Sequence, residues 1–174
     1  MVSASGSPAA PAGPTALEAE LFRLAGAVPD PELPVLTLAE LGVLRAVRVS
    51  APGTVHVELT PTYTGCPAIE AMSSDIESVL RDRGMARVSV VTVLSPAWST
   101  DDISEEGRRK LAESGIAPPR PHGPAGPVPL SLAIRCPHCG STGTELLSRF
   151  SSTACKALRR CTACREPFDH FKEL

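Results

Sequence analysis

The sequence is poor in aromatic side chains and has no long apolar run. Phe, Trp and Tyr make up 3% of its 174 residues. The longest apolar stretch, around residues 88–94, falls far short of the ~20 residues that span a bilayer, so we predict no transmembrane segment. Residues 1–14 contain no Lys or Arg and no continuous apolar core. This start fails the tests for a secretory signal, and we therefore expect a cytoplasmic protein.

The short motifs that usually indicate catalysis or nucleotide binding are also missing. The sequence contains no GxGxxG, GxxxxGKS/T, HExxH or GxSxG. The formal net charge is −2, which gives no general reason to expect binding to nucleic acid or membranes. Charge is nevertheless uneven, because residues 1–129 carry 10 basic and 15 acidic groups whereas residues 130–174 carry 7 and 4. This asymmetry indicates that the two parts of the chain differ in kind.

Proline and glycine divide the chain. Residues 117–129 contain six prolines and two glycines in thirteen positions, a composition that favours an extended linker and cannot build a core. We therefore predict a disordered tail over 1–14, a first domain over 15–116, the linker over 117–129 and a second domain over 130–174.

The first domain predicts a small two-layer α+β fold of the order αββαβα. Thr15 with Glu18 and Thr37 with Glu40 form capping boxes that begin helices. Cys66 is predicted at the N-cap and Pro67 at the first position of a further amphipathic helix. Strands are predicted over 43–49, 54–60 and 87–94, the first two as a hairpin and the third parallel to the second.

Five of the six cysteines lie in the last 39 residues. Cytosolic cysteines more often bind metal or react as thiols than form disulfides. Two CxxC pairs separated by 21 residues predict a tetrahedral four-thiolate site, formed by Cys136, Cys139, Cys161 and Cys164. Structural zinc is expected there, with rubredoxin-like iron as the alternative. The metal would stabilise a small β-rich zinc ribbon, because this segment has too few apolar residues for an independent core. The strands of the ribbon are predicted over 130–134, 145–150 and 157–160.

Two further cysteines are open to more than one interpretation. Cys66 is either a core residue or a functional thiol, since it lies where a helix dipole and free amides lower the pKa of a thiol. As a functional thiol it could bind iron or an iron–sulfur cluster, alone or with a second chain in a homodimer, or act as a nucleophile, although no Cys–His pairing that would indicate a thiol hydrolase is present in the sequence. Cys155 is either a small buried residue or an accessible thiol beside basic neighbours, able to bind a metal or a partner.

Acidic, histidine and tryptophan residues provide the remaining candidates for a site. Asp30 and Glu32 are either additional ligands or turn and capping residues around nearby prolines. His138 and His170 are expected on the surface or in packing, because four cysteines already complete the metal site. Trp98 is expected in the core rather than on a binding surface.

Two stretches of the first domain resemble a known family. The segments Asp30-Pro31-Glu32-Leu33-Pro34 and Thr60-Pro61-Thr62-Tyr63-Thr64-Gly65-Cys66-Pro67 are similar to motifs of the metal–sulfur cluster assembly domains. That family includes bacterial SufT-like proteins and a component of the cytosolic iron–sulfur targeting complex. The resemblance covers about residues 16–116 and implies that Cys66 handles metal, with Asp30 and Glu32 as the acidic motif.

With the cysteine ribbon added, the chain from about residue 16 onward resembles the accessory subunits of phenylacetyl-CoA epoxidase, an oxygenase system of aerobic phenylacetate degradation. This resemblance implies oxygenase and reductase subunits as partners, the former with a di-iron centre and the latter with flavin and a 2Fe–2S cluster. It further implies help in assembling or inserting these centres, with transient iron or a cluster on Cys66, and not catalysis. The sequence lacks the paired Glu-x-x-His motifs of a di-iron bundle.

Two rival functions remain open from sequence. The chain could be a permanent structural or docking subunit of the oxygenase, with no metal transfer. It could also be a nucleic-acid-binding adaptor, although the weak basic excess and the few aromatics argue against it. The cations that such an adaptor would use are Arg149, Lys156, Arg159, Arg160 and Arg165.

Overall fold

The computed structural model describes residues 13–63, 65–120 and 133–173. Of the predicted tail, residues 1–12 lie outside these segments, as do residues 121–129 of the predicted linker and residues 130–132 of the first predicted ribbon strand. None of the helices in the described segments combines the length and apolar character needed to cross a bilayer.

The first sheet has three strands in the order β1–β2–β3. They are β1 (Leu44–Ser50), β2 (Thr54–Leu59) and β3 (Arg87–Thr92). β1 and β2 pair antiparallel across a tight turn, and β3 pairs parallel to β2 after a helical crossover. The predicted hairpin and crossover are both confirmed. Alternation places the side chains of Val55, Val57 and Leu59 on the buried face.

In the described segments, four α-helices and one short 3-10 helix (Thr100–Asp102) accompany this sheet. The α-helices are α1 (Ala16–Gly26), α2 (Leu38–Leu41), α3 (Ala68–Asp82) and α4 (Glu105–Glu113). Both predicted capping boxes are present, at Thr15 and Thr37. The predicted start of α3 is wrong by one residue. Pro67 occupies the N-cap without a side-chain cap, and Cys66 lies one position before it. The predicted αββαβα order is otherwise confirmed.

The second sheet contains four strands in the order β4–β7–β6–β5. They are β4 (Ile116–Ala117), β5 (Thr144–Ser148), β6 (Lys156–Cys161) and β7 (Pro167–Phe171). β5 and β6 match predicted segments, whereas Ala133 and Ile134 are not in a strand. β4 and β7 were not predicted. β4 is too short to show a period, and β7 lacks the alternation that indicates a strand.

The two sheets belong to one packed molecule. β4 follows α4 directly and pairs parallel with β7 of the ribbon. Phe171 of β7 is fully buried in the core of the first domain, with its ring centroid 6.0 Å from that of Trp98. The indole N–H of Trp98 donates to the Leu41 carbonyl at 2.9 Å, so Trp98 is a core residue, as expected. The ribbon therefore completes the hydrophobic core of the first domain.

Candidate metal and thiol sites

The four ribbon cysteines converge. Their sulfurs all lie within 4.8 Å of one another, with 3.8 Å between Cys136 and Cys164 and 3.6 Å between Cys139 and Cys161. Each CxxC pair is followed by a residue of left-handed conformation, Gly140 at φ 73° and Arg165 at φ 69°. The amides of these two residues donate to the carbonyls of Cys136 and Cys161. The two pairs thus form equivalent tight turns that aim their sulfurs at one point.

This spacing suits a metal ion. A tetrahedron with Zn–S bonds of about 2.3 Å has sulfur–sulfur edges of about 3.8 Å, close to both measured distances. The backbone N–H of Cys164 lowers the pKa of the Cys161 thiol to about 6. The N–H of Glu166 lowers the pKa of Cys164, but burial and the neighbouring Cys161 sulfur outweigh it and raise that pKa to about 12. Without a metal, the negative charge of the cluster is therefore held first at Cys161. Four thiolates fill the coordination sphere, so a metal held here would be structural. Iron in a tetrahedral sulfur site would fit the same geometry.

Cys66 lies in a second, different environment. Its side chain is 9% exposed at the start of α3, within the core of the first domain. Burial raises the pKa of the Cys66 thiol, and the N–H of Ala68, which lowers it, does not compensate. The expectation that the helix N-terminus lowers this pKa is therefore wrong, because desolvation outweighs the helix amides.

The acidic motif lies beside Cys66, and its two carboxylates have different roles. Oδ1 of Asp30 accepts from the amides of Glu32 and Leu33 at 2.9 and 2.7 Å, so this buried carboxylate holds the turn. Burial raises the pKa of Asp30 despite these bonds. Glu32 is half-buried, and within the described residues its carboxylate makes no hydrogen bond or ion pair. The negative charges of Glu32 and Asp30 both add to the rise in the pKa of Cys66.

The ribbon supplies further groups to this second environment. Cys155, immediately before β6, is 3% exposed and belongs to the same core cluster as Cys66. Lys156 is buried and forms an ion pair with Asp169 at 3.1 Å. Tyr63 of the first domain packs against this cluster. Burial is the main cause that raises the pKa of Tyr63 to about 12, and the charge of Cys66 is the second.

The sequence did not indicate that Cys155 is buried in the same core cluster as Cys66, or that Tyr63 packs against that cluster. Cys66 and Cys155 are 89 positions apart in the chain, and no local spacing links them. A second expectation is also corrected, since Lys156 is not a surface cation. Arg160 pairs with Glu145, so two of the five cations considered for nucleic-acid binding are neutralised within the ribbon.

Comparisons with known proteins give the class of this chain. Residues 18–94 match the model of the iron–sulfur cluster assembly protein family, and residues 123–172 match that of the PaaD zinc beta ribbon domain. A solved structure, the domain of unknown function DUF59 from Bacillus anthracis, superposes with a TM-score of 0.51 at 28% identity, over 55% of this chain and 92% of that one. The fold and the sites define an assembly-type domain joined to a zinc ribbon.

Curated relatives give the particular family. A protein of Escherichia coli strain K12, provisionally named as a subunit of 1,2-phenylacetyl-CoA epoxidase, is 46% identical over 153 residues, 88% of this chain and 91% of the relative. The chain belongs to the PaaD family, which includes this epoxidase subunit. An Fe–S protein maturation auxiliary factor of Porphyromonas gingivalis is 33% identical over 95 residues, 54% of this chain and 90% of that protein. These relatives support an accessory role.

Proposed function

We propose that this protein is a non-catalytic accessory factor of phenylacetyl-CoA epoxidase that assists assembly or insertion of the iron or iron–sulfur centres of the oxygenase or reductase subunits. Two relatives support the proposal, one bearing the epoxidase subunit name and one named as an Fe–S maturation factor. The match of residues 18–94 to iron–sulfur assembly proteins supports assigning this activity to the first domain.

The observation that carries the proposal is the setting of Cys66. The assembly-type domain contains the Cys66 thiol, the Tyr63 hydroxyl and the Glu32 carboxylate, outside the closed ribbon site. The carboxylate of Glu32 is half-buried and has no hydrogen bond among the described residues. Thiolate and carboxylate are both ligands of ferrous iron. Because these groups do not close a four-ligand sphere, the metal would keep open positions for a ligand of the acceptor protein. Transfer is then a ligand exchange in which Cys66 is the transient donor ligand.

The direct test compares the oxygenase from strains that produce the wild type or the Cys66→Ser variant of this protein. We expect the variant to fold, as judged by the near-ultraviolet signal of Trp98, and to leave the oxygenase deficient in iron. Ala68→Ser is the matched control, because it adds a hydroxyl at a buried neighbouring position and keeps the thiol. Normal iron content in the oxygenase from the Cys66→Ser strain would refute metal transfer through Cys66.

A docking role has support of its own. Leu146, Leu147 and Phe150 lie on or just after the edge strand β5 and are about half exposed or more. Exposed apolar groups on an edge strand are typical of protein-binding surfaces. A permanent docking subunit would co-purify with the mature epoxidase in fixed stoichiometry, and Leu147→Glu would abolish that association. A maturation factor would be absent from the finished complex.

A further inference from the structure

The ribbon exposes an apolar patch to solvent. Leu146, Leu147 and Phe150 are 48%, 47% and 63% exposed, and they lie on or just after β5, at the edge of the second sheet. We infer that these three residues, the β5 patch, bind an acidic surface with apolar side chains on the oxygenase or reductase subunit of the epoxidase. This inference rests on the proposed function and names the chemistry of the partner surface.

Phe150 is held in place although it is exposed. Its amide donates to Oγ of Ser148 at 3.1 Å, and the ammonium of Lys172 lies 4.7 Å from the centre of its ring. The amide of the next residue, Ser151, donates to the Lys156 carbonyl at 3.1 Å. An aromatic side chain that is fixed in this way loses little conformational entropy when a partner covers it. Such side chains are enriched at protein–protein interfaces, so Phe150 is the anchor of the patch.

A β-bulge shapes the patch and disfavours one mode of binding. The pairing of β5 with β6 skips Leu147, which is an extra residue between Leu146 and Ser148. Consecutive side chains of a regular strand point to opposite faces, and a bulge breaks this alternation. The bulge also interrupts the hydrogen-bonding pattern of the edge, which hinders the addition of a further strand. The partner therefore docks through contacts of side chains.

Unpaired cations beside the patch determine the charge of the partner. Arg149 precedes Phe150, and its carbonyl accepts from Nζ of Lys172 at 3.4 Å. Within the described segments, neither Arg149 nor Lys172 forms an ion pair with a carboxylate. On β5 itself, the carboxylate of Glu145 is neutralised by Arg160. The patch thus combines an apolar centre with adjacent positive charge, and an acidic partner surface complements it.

The same features fit nucleic acid less well. Cations next to an exposed aromatic ring also occur where proteins bind single strands, whose bases stack on the ring. Two of the three patch residues are leucines, however, which pack against apolar side chains and offer no ring for stacking. Basic side chains exceed acidic ones in residues 130–174 by only seven to four, with Glu173 beside Lys172 included. A backbone of phosphates calls for a longer series of unpaired cations, so a protein surface is the better fit.

The test measures how the purified oxygenase and reductase subunits, assayed separately, bind to the full-length protein loaded with zinc. We expect at least one subunit to bind, and to bind more weakly as salt screens the charges beside the patch. Phe150→Ala and Arg149→Glu should each weaken this binding about tenfold or more. Phe22→Ala and Arg23→Glu are the matched controls, because they change an exposed ring and an exposed cation of the first domain. These controls should change the affinity by less than about twofold.

Binding that Phe150→Ala leaves unchanged would overturn the inference, and so would tighter binding by Arg149→Glu, which indicates a basic partner. If neither subunit bound, the inference would also fail, whereas the proposed function would still be decided by the iron content of the oxygenase from the Cys66→Ser strain. Binding through the patch together with normal iron in that strain would support the patch and refute transfer through Cys66. Binding of a single-stranded oligonucleotide in place of both subunits would show that the patch contacts nucleic acid.

A photo-cross-link identifies the partner surface directly. The residue p-benzoylphenylalanine, introduced in place of Phe150, links on irradiation to the groups that contact the ring. We expect a link to a segment of the oxygenase or reductase in which Asp and Glu outnumber Lys and Arg. The same residue in place of Phe22 is the control and should form no link. A linked segment with an excess of Lys and Arg would refute the inference.

Discussion

Trp98 joins the two halves of the molecule through one side chain. Its N–H satisfies the buried carbonyl of Leu41, and its ring packs on Phe171 of the ribbon. We predict that Trp98→Phe destabilises the protein by about 1–3 kcal/mol, because the carbonyl loses its buried donor. Urea unfolding followed by far-ultraviolet circular dichroism measures the loss. Phe22→Leu, which alters a partly exposed ring, should change stability by less than about 0.5 kcal/mol. Equal effects of the two variants would contradict the prediction.

His170 makes the stability of the fold dependent on pH. Its side chain is buried, its Nε2 has no hydrogen-bond partner among the described residues, and burial, followed by the charge of Arg159, lowers its pKa to about 4. The unfolded chain titrates near 6.5, so it binds this proton first as the pH falls. The stability contributed by neutral His170 is complete above pH 6.5 and is lost progressively towards pH 4, by up to about 3 kcal/mol.

The measurement is urea unfolding at pH 7, 6 and 5 for the wild type and His170→Gln. Both proteins keep the four-cysteine site, so acid-driven loss of metal affects both, and the difference between their slopes isolates His170. We expect a steeper loss of stability with acid in the wild type. Identical slopes would show that protonation of His170 does not oppose folding.

At the scale of elements, Gly42 fixes how α2 ends. It has φ 76°, and a Cβ there would lie 2.3 Å from the carbonyl oxygen of Asp102. Gly53, in the hairpin turn, has φ 91° but open space around it. Gly53→Ala should therefore cost only backbone strain of about 1–2 kcal/mol. Gly42→Ala should cost about 2–4 kcal/mol, because overpacking adds to the strain. Thermal unfolding of the two variants compares them, and equal losses would refute the role of the close contact.

At the scale of the whole molecule, the ribbon metal should stabilise both halves. Metal binding supplies on the order of 10 kcal/mol to a small domain of this kind. The ribbon also completes the first domain's core through Phe171 and pairs with β4. We therefore predict that metal removal by a chelator, or Cys139→Ser, lowers the unfolding temperature of the entire chain and changes the near-ultraviolet signal of Trp98.

Calorimetry and the Trp98 signal test this coupling together. Thr162→Ala is the matched control. It removes the hydrogen bond that the Thr162 hydroxyl donates to the Gly143 carbonyl, next to Cys161, and should keep the metal. A ribbon that unfolded by itself, with the Trp98 signal unchanged, would show that the two halves are energetically independent.

Features that depend on neighbouring residues could be predicted from the order of the amino acids. The capping boxes, the turn of the hairpin and the CxxC turns involve residues within a few positions of one another, so their spacing was sufficient to predict them. The pairing of the two CxxC turns over a longer distance was also predictable, because a tetrahedral metal site requires four ligands.

Which distant groups share a buried environment depends on how the whole chain folds. It placed Cys155 and Cys66 in one buried core cluster, paired β4 with β7 and buried Lys156 against Asp169. It also reversed the expected direction of the Cys66 pKa. The helix amides that lower this pKa could be predicted from the local sequence, but the desolvation that raises it could not. Desolvation depends on how much protein surrounds a thiol, and much of that protein comes from distant parts of the chain.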